Sequence, residues 1–297
     1  MQVKLTAVIP VYGPTYAERE QSLKSILNSS NQVRMVVVAD TFEKSQKESL
    51  ISLLKNKPVD SVDLIEGVYG NPGSARNAGL ELVNTDWICF WDSDDFPDVS
   101  KYLEMVEIAD NKGYLIAKGG YKIFKPQVNV SNHVIEPRIS NQNFARHIMD
   151  PGIWRYVFSR NVFGELRFPP LAMGEDQDFL VEVLLKKKDI YIFGEPVYTY
   201  TVGGGTQLTR NPSSLKDVSK SLDYLEVLLK NSQVNSSSAE TILTSYIKQA
   251  LTGWRTIDLQ HFVPYSAKVG KVLLRSLLAG KLLKPLYTNL TEKIRNK

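Results

Sequence analysis

The chain is poor in cysteine and histidine and has no long hydrophobic run. Its single cysteine, Cys89, excludes an intramolecular disulfide, and its place in an apolar segment is typical of an unreactive buried thiol. The three histidines, His133, His147 and His261, lack the spacing of metal ligands. No segment reaches the roughly 18 consecutive apolar residues of a membrane-spanning helix, and the N-terminus lacks a signal-peptide pattern. These absences lead us to expect a cytoplasmic protein.

Charge of neither sign dominates the 297 residues, whose formal net charge is only +4. This balance argues against a protein that binds nucleic acid. Basic residues are nevertheless concentrated in residues 268–297, which contain eight Lys or Arg and one acid, Glu292. This tail has a net charge of +7, so the rest of the chain carries about −3.

Apolar strands and helical patterns alternate through the first hundred residues. This alternation predicts a parallel sheet covered by helices on both faces. The carboxyl ends of its strands then share one edge, which is where ligands bind to such sheets. Strands are predicted at residues 5–12, 33–39, 62–65 and 87–92, and helices at residues 15–28, 43–56, 71–80 and 99–110.

The second half of the chain predicts shorter elements and then a helical region. Residues 141–147 are expected to form a short helix, and residues 174–187 a longer one. Strands are predicted at residues 114–118, 121–124, 133–135, 154–158, 190–193 and 197–201, and late helices at residues 214–230, 238–259 and 266–283.

Three carboxylates lie within four positions directly after the fourth predicted strand. Unpaired carboxylates are too costly in a dry core, so the strand must end at Asp92 and the acids must lie at the edge of the sheet. Hard cations such as Mg²⁺ and Mn²⁺ prefer carboxylate oxygens, so a divalent cation carrying phosphates is the expected counter-charge. The alternative is an acidic turn that caps the next helix, with Asp98 as the N-cap. The three acids are Asp92, Asp94 and Asp95.

Five segments occur in a fixed order along the chain: residues 6–12 (TAVIPVY), 73–80 (GSARNAGL), 92–95 (DSDD), Trp154 with residues 156–160 (YVFSR), and 174–176 (GED). In this order they resemble the inverting glycosyltransferases of family 2, which have the GT-A fold, an α/β architecture. The resemblance covers about residues 3–209. We therefore expect a GT-A catalytic domain over residues 1–210 and a helical C-terminal appendage over residues 211–297.

The resemblance implies a nucleotide-diphosphate sugar donor, with a UDP-sugar as first choice, and a divalent metal, Mn²⁺ or Mg²⁺. A metal on the diphosphate oxygens stabilises the leaving group as its charge develops. The resemblance assigns the metal to Asp94 and Asp95. It places Asp92 either at the ribose or in contact with the metal ligands instead of the metal. Which of the three carboxylates touches the ion stays open.

Inversion is a single displacement, which needs a base for the proton of the acceptor hydroxyl. The family supplies an Asp at a helix start, in a Glu-Asp or Asp-Asp pair. The match here is Glu175-Asp176, so Asp176 is the expected base and Glu175 an expected acceptor or sugar contact. An N-cap is the alternative role for Asp176. Trp154 suits either stacking on the acceptor sugar or the apolar core.

The expected donor contacts come from three other segments. Arg76 lies at a helix start, where free N–H groups favour anions, and is expected to contact the nucleotide or diphosphate unless it is a plain surface residue. Asp40 is expected to accept from uracil or ribose, and Pro10 and Tyr12 to line the base pocket. The family commonly has Asp-Asp-Gly-Ser after the second strand, whereas residues 39–42 here are Ala-Asp-Thr-Phe.

A second departure from the family lies near residue 200. The common Tyr-x-Tyr-Arg pattern is replaced by Tyr198-Thr199-Tyr200-Thr201, with no histidine after it. The following Gly203, Gly204 and Gly205 form either a lid over the diphosphate or a plain loop.

The expected function is sugar transfer to a glycan or lipid-linked acceptor in bacterial surface polysaccharide or lipopolysaccharide synthesis. A sugar nucleotidyltransferase is the first alternative, but it would need a glycine-rich basic signature where residues 12–14 are Tyr-Gly-Pro. A non-catalytic sugar or membrane adaptor on the same fold is the second, against which the retained acids argue. A haloacid-type phosphatase would have Thr where Pro97 stands.

The basic tail leaves two interpretations open. On a helical wheel Lys268, Lys271 and Arg275 lie on one side and leucines lie opposite. This pattern fits a peripheral helix on an anionic membrane face, and equally a helix packed on the catalytic domain.

Overall fold

The structure, a computed structural model, divides into two compact units. The first comprises residues 1–144 and 151–207, and the second residues 145–150 and 208–297. The residues that the structure describes are 3–29, 31–55, 57–58, 61–125, 128–133, 139–140, 152–186, 189–201, 217–232 and 270.

The first unit begins with the predicted strand–helix alternation. Its parallel strands lie in the order β3-β2-β1-β4. Pairing places Tyr12 of β1 opposite Asp40 of β2, and Asp40 opposite Gly67 of β3, so these strand ends share one edge as predicted. The elements are β1 (Leu5–Tyr12), α1 (Tyr16–Asn28), β2 (Val33–Asp40), α2 (Lys44–Leu54), β3 (Val62–Gly67), α3 (Pro72–Leu80) and β4 (Trp87–Phe90).

The sheet continues with mixed strand directions. Beyond β4 the order is β9-β6-β10-β5; β9 is antiparallel to β4 and β6, and β10 is parallel to β6 and antiparallel to β5. The remaining elements of this unit are β5 (Phe96–Pro97), α4 (Val99–Asn111), β6 (Ile116–Lys125), β7 (Val128–His133), β8 (Ile139–Ser140), β9 (Tyr156–Ser159), α5 (Glu175–Lys186) and β10 (Ile190–Thr201).

Helices cover both faces of the central strands, as the continuous apolar runs predict. On one face Ile9 and its neighbours pack with buried side chains of α1, α2 and α4. On the other face α3 lies directly on the sheet, because a β-carbon at Gly79 would be only 2.4 Å from Val8 Cγ1. Cys89 is buried in β4, as expected.

The structure corrects several predicted boundaries. The fourth strand ends at Phe90, two residues before Asp92. Residues 116–118 and 121–124 belong to one strand, β6, which begins two residues later than predicted. The two predicted segments of β10 are joined through an irregular register between Ile192 and Tyr198. Residues 153–155 form a 3₁₀ turn before β9 instead of opening that strand.

One helix of the second unit is described, α6 (Asp217–Asn231), which matches the helix predicted at 214–230. The predicted helices at 141–147, 238–259 and 266–283, the strand at 134–135, the glycines at 203–205 and the basic tail apart from residue 270 lie outside the described residues. No helix within the described part of the chain is both long and apolar enough to cross a membrane.

Candidate active site

The acidic turn, residues 92–95, lies at the carboxyl edge where β4 ends. Asp92 and Asp94 keep 30% and 39% of their side-chain surface exposed, so both carboxylates reach the open edge. Asp95 faces inward with only 1% exposed, and its Oδ1 accepts from the Thr201 N–H at 2.7 Å. The prediction that Asp98 caps the next helix is confirmed, because its Oδ1 accepts from the Lys101 N–H at the start of α4. The segment after β4 therefore caps a helix through Asp98 and presents the carboxylates of Asp92 and Asp94 at the edge of the sheet.

The turn contains more negative charge than its surroundings compensate. Burial and the charges of Asp92 and Asp94 raise the pKa of Asp95 to about 9, although the Thr201 N–H and the Tyr198 hydroxyl lower it. Burial also raises the pKa of Asp94, against the effect of Arg19, whose Nη2 lies 3.5 Å from Asp94 Oδ2. Asp95 Oδ2 is buried and has no hydrogen-bond partner among the described residues. A cation at this turn would relieve both the charge and the unpaired oxygen.

The residues of the turn therefore fit a divalent metal in donor chemistry, since clustered carboxylate oxygens are what Mn²⁺ and Mg²⁺ prefer. Within the described ranges, however, no group of three or more His, Cys, Asp and Glu side chains is already arranged around a metal position. The assignment of the ion to Asp94 and Asp95 stays a prediction.

Arg76 connects the acidic turn to the helix of the expected base. Its Nη2 donates to Asp92 Oδ1 at 2.9 Å and its Nη1 donates to Glu175 Oε1 at 2.6 Å. Arg76 is 5% exposed, and its guanidinium carbon lies 5.6 Å from the centroid of the Phe168 ring. Burial alone would lower the pKa of Arg76, but the carboxylates of Asp92, Glu175 and Asp176 raise it, so the side chain stays charged. The surface alternative for Arg76 is therefore wrong.

A tight junction between α3 and the segment before α5 brings these groups together. Asn77 Nδ2 donates to the Phe168 carbonyl at 2.9 Å, and the Phe168 N–H donates to Asn77 Oδ1 at 2.8 Å. A β-carbon at Gly73 would lie 2.3 Å from the Pro169 carbonyl oxygen and 3.3 Å from Glu175 Cβ. Gly73 thus lets α3 approach the loop before α5 closely, and Asn77 binds α3 to that loop. The loop leads directly into Glu175, the first residue of α5.

We expect Gly73→Ala to disrupt this junction, because the added methyl group must displace backbone and not a flexible side chain. The expected cost is about 1–3 kcal/mol of unfolding free energy, as for an overpacked core position, together with weaker nucleotide binding. Chemical denaturation and calorimetric titration measure the two effects. Ser74→Ala is the control, since it adds no atom. Wild-type stability and binding in Gly73→Ala would contradict the junction.

Asp176 and Glu175 lie in the first turn of α5. Asp176 Oδ1 accepts from the Gln177 N–H at 2.8 Å, and Glu175 is 6% exposed. Burial raises the pKa of Asp176, with Asp92 adding to the rise and Arg76 opposing it. Burial and the charge of Asp176 likewise raise the pKa of Glu175. A raised pKa makes a carboxylate a better general base at neutral pH, because the best pKa for such a base lies near the working pH.

The expected base-pocket residues lie at the ends of β1 and β2. Tyr12 is 42% exposed and Pro10 is partly exposed. Asp40 is 5% exposed, and its Oδ1 accepts from the Tyr69 N–H at 2.8 Å and from the Thr41 hydroxyl at 2.9 Å. Asp40 therefore also holds the loop after β3, a role that the sequence did not indicate.

Trp154 lies in an aromatic cluster and is 9% exposed. Its ring stacks on Tyr198 and Tyr200, with centroid distances of 4.6 and 5.4 Å, while Tyr121 meets it edge-on at 5.0 Å. This position agrees with the core alternative, and contact with an acceptor stays a prediction.

The sequence did not indicate three contacts made at the acidic turn. Arg19 of α1 faces Asp94, the Tyr198 hydroxyl accepts from the Asp92 N–H at 3.0 Å, and the Thr201 N–H binds Asp95. The Tyr-x-Tyr pattern was a signal for Tyr198, although it indicated no partner. Nothing in the local sequence around Arg19 distinguishes it from a solvated helix residue.

A parallel α/β sheet with carboxylates at its carboxyl edge is the arrangement of ligand-binding α/β enzymes. Residues 6–163 match the family model described as Glycosyl transferase family 2. Because the match covers more than half of the 297 residues, the chain belongs to glycosyl transferase family 2.

Relatives of known sequence agree with this assignment. The poly(ribitol-phosphate) beta-N-acetylglucosaminyltransferase TarS of Staphylococcus aureus is 21% identical over 275 residues, which are 86% of this chain and 45% of TarS. The uncharacterized glycosyltransferase EpsJ of Bacillus subtilis is 23% identical over 172 residues, which are 53% of this chain and 47% of EpsJ. The chain thus spans less than half the length of these curated relatives.

Solved structures establish the fold. The crystal structure of S. aureus TarS 1–349 in complex with UDP-GlcNAc matches with a TM-score of 0.71 and 17% identity, over 91% of this chain and 80% of that one. The mannosyltransferase PcManGT from Pyrobaculum calidifontis, in complex with GDP-Man and Mn²⁺, matches with a TM-score of 0.58 and 11% identity, over 100% and 81%. The expected GT-A fold is confirmed.

Proposed function

We propose that this protein transfers a sugar, with inversion, from a nucleotide-diphosphate sugar to an acceptor hydroxyl. The observation that carries the proposal is the buried Arg76, which bonds Asp92 of the acidic turn on one side and Glu175, the neighbour of Asp176, on the other. Arg76 thus connects the acidic turn, which suits a diphosphate leaving group, to the start of α5, which suits removal of a proton from the acceptor. A displacement needs both functions.

The donor half of the site comprises the acidic turn and the ends of β1 and β2. Pro10 and Tyr12 would flank the nucleotide base, and Asp40 would lie at the nucleoside. Arg76 and Asp92 would lie next to the diphosphate and sugar. Asp94 and Asp95 would hold Mn²⁺ or Mg²⁺, which would supply positive charge to the departing diphosphate oxygens. Arg76 is already paired with two carboxylates, so its contribution is to orient them as well as to attract the donor.

The acceptor half lies at the start of α5. Asp176 would take the proton of the attacking hydroxyl, while Glu175, held by Arg76, would orient the acceptor or the transferred sugar. Trp154 would border this side through its aromatic cluster. Burial of both carboxylates limits their solvation, which favours accepting a proton over staying charged.

A UDP-sugar is our first choice of donor and a surface glycan or lipid-linked sugar our choice of acceptor. The relative TarS is named for N-acetylglucosamine transfer to poly(ribitol phosphate) and is matched in complex with UDP-GlcNAc. We propose that this chain acts in the same class of pathway, bacterial surface polymer synthesis, at the cytoplasmic face of the membrane. The basic residues at 268–297 would then attract the anionic surface.

A donor screen tests the proposal directly. UDP-, GDP- and dTDP-sugars are incubated with the protein and Mn²⁺, with and without chelator, and release of the nucleoside diphosphate is measured. We expect release from a UDP-sugar that stops with chelator and returns with added Mn²⁺. Asp94→Asn should lower it strongly, whereas Asp110→Asn, in an exposed ion pair with Lys4, should not. Production of pyrophosphate from UTP and a sugar phosphate would instead identify a nucleotidyltransferase.

The pH dependence of kcat should show an acidic limb set by Asp176. Its pKa is raised by burial, so the carboxylate is protonated, and unable to accept a proton, over a wider acidic range than an ordinary Asp of pKa about 4. We expect kcat to fall about tenfold per pH unit below that raised pKa, and to level off above it. A rate that stays constant down to about pH 4 would contradict a buried carboxylate base.

A further inference from the structure

The acidic turn has several contacts with β10, in addition to those of Arg19 and Ser22 of α1 and of Arg76 of α3. The Asp92 N–H donates to the Tyr198 hydroxyl at 3.0 Å, and Asp95 Oδ1 accepts from the Thr201 N–H at 2.7 Å. Just after the turn, β5 pairs with β10, and the Asp98 N–H donates to the Val197 carbonyl at 2.8 Å. The turn follows β4 in the chain, yet two of its hydrogen bonds are to residues 106 positions later.

Tyr198 is the side chain among these contacts that binds the backbone of Asp92, the first residue of the turn. It is 1% exposed, so its hydroxyl occupies a buried position where an unpaired polar atom would be costly. Its ring is fixed by stacking on Trp154 at 4.6 Å and 17° between planes. Trp154 is fixed in turn by the Tyr102 hydroxyl, which donates to the Trp154 carbonyl. The phenol oxygen therefore has little freedom to follow the turn if the turn moves.

We propose that Tyr198 is a positioning residue that acts through Asp92 and sets the orientation of the acidic turn toward the donor diphosphate. The backbone N–H of Asp92 is anchored by the phenol, while its side chain is anchored by Arg76. Two anchors on one residue fix the direction in which the chain leaves β4, and hence where Asp94 and Asp95 point. The proposal rests on the proposed function for the identity of the ligand, and extends it to a residue outside the ligand set.

The same geometry explains the Tyr-x-Tyr pattern at residues 198–200. Alternate residues of a strand point to the same face, so Tyr198 and Tyr200 both stack on Trp154. Phenylalanine at either position would supply the stacking. Only the hydroxyl of Tyr198 supplies the acceptor for the Asp92 N–H, so the hydroxyl is the part to remove in a test.

Tyr198→Phe keeps the ring and removes the acceptor, and Tyr191→Phe is the matched control on the same strand. Tyr191 lies at the other end of β10, where its ring contacts Tyr114. Two properties are measured on the full chain: amide hydrogen exchange of Asp92 without nucleotide, by NMR, and affinity for UDP with Mn²⁺, by calorimetry. For Tyr198→Phe we expect exchange at Asp92 about fivefold faster or more and UDP–Mn²⁺ affinity about two- to tenfold weaker, the loss typical of one buried hydrogen bond.

The kinetic signature separates positioning from general loosening of the fold. In Tyr198→Phe the donor KM should rise by the same two- to tenfold factor while the acceptor KM stays within about twofold of wild type. The control should match wild type in every measurement. Unchanged Asp92 exchange, or unchanged UDP–Mn²⁺ affinity in Tyr198→Phe, would overturn the proposal. If wild-type protein binds no nucleoside diphosphate, the proposed function fails, while Asp92 exchange still supports or overturns the anchoring by Tyr198.

Discussion

Asp176→Asn is expected to lower kcat for sugar transfer by about 10²–10⁴-fold, the usual contribution of a general base. Asparagine retains an oxygen that can accept from the Gln177 N–H, so α5 should begin as in the wild type. It cannot take a proton from the acceptor hydroxyl. Affinity for UDP with Mn²⁺ should stay within about threefold of wild type, because the contacts expected for the donor lie elsewhere.

Glu182→Gln is the control for this substitution. It removes a carboxylate from the same helix, where Glu182 accepts from Lys186 at 3.1 Å. Its kcat should equal that of the wild type. If Asp176→Asn transferred sugar at the wild-type rate, Asp176 would be only a first-turn helix residue and the base would lie elsewhere.

Arg76→Met is expected to cost about 3–5 kcal/mol of unfolding free energy, because breaking a buried ion pair leaves uncompensated charge. The substitution removes the counter-charge of Asp92 and Glu175 together, and Glu175 is 6% exposed. Sugar transfer should be lost in any fraction that stays folded, since both halves of the site lose their shared anchor. Arg76→Lys should keep part of the stability, because the positive charge remains. It should not bind Asp92 and Glu175 together, because a lysine ammonium lacks the two separate NH₂ groups of a guanidinium.

Arg167→Met tests the same chemistry at the surface. Arg167 Nη2 lies 2.8 Å from Glu81 Oε1, with 42% and 63% of the two side chains exposed. Solvent screens such a pair, so the expected cost is at most about 1 kcal/mol. Chemical denaturation measures both variants. Equal costs for Arg76→Met and Arg167→Met would show that Arg76 is not the buried bridge that the structure describes.

Sequence patterns predicted the part of the fold that depends on neighbouring residues. Continuous apolar runs predicted β1 to β4, and strand–helix alternation placed Tyr12, Asp40 and the acidic turn on one edge, as observed. The pattern was less informative where tertiary pairing decides. Two apolar segments were predicted within residues 114–124, yet residues 116–124 lie in the continuous strand β6, because β10 pairs with it from Ala117 to Phe124.

The candidate site could be predicted as a set of residues but not as a network. Spacing and family resemblance selected Arg76, Asp92 and Glu175, and the expectation for Arg76 was a donor contact. Its actual partners are two carboxylates, one of them 99 positions away. Such pairing depends on how α3 packs against the loop before α5. Gly73 and Asn77 determine this packing through contacts with residues distant in sequence, which a local hydrophobic pattern does not predict.

The most direct test of the account is the configuration of the first sugar released from a donor. UDP-GlcNAc, whose sugar is α-linked, is incubated with wild-type protein and Mn²⁺ without acceptor, so that water takes the acceptor position. Proton NMR then follows the anomeric signals before mutarotation mixes them. A single displacement assisted by Asp176 predicts that β-GlcNAc appears first and that chelator or Asp176→Asn suppresses it. α-GlcNAc as the first product, or release unaffected by Asp176→Asn, would contradict the mechanism.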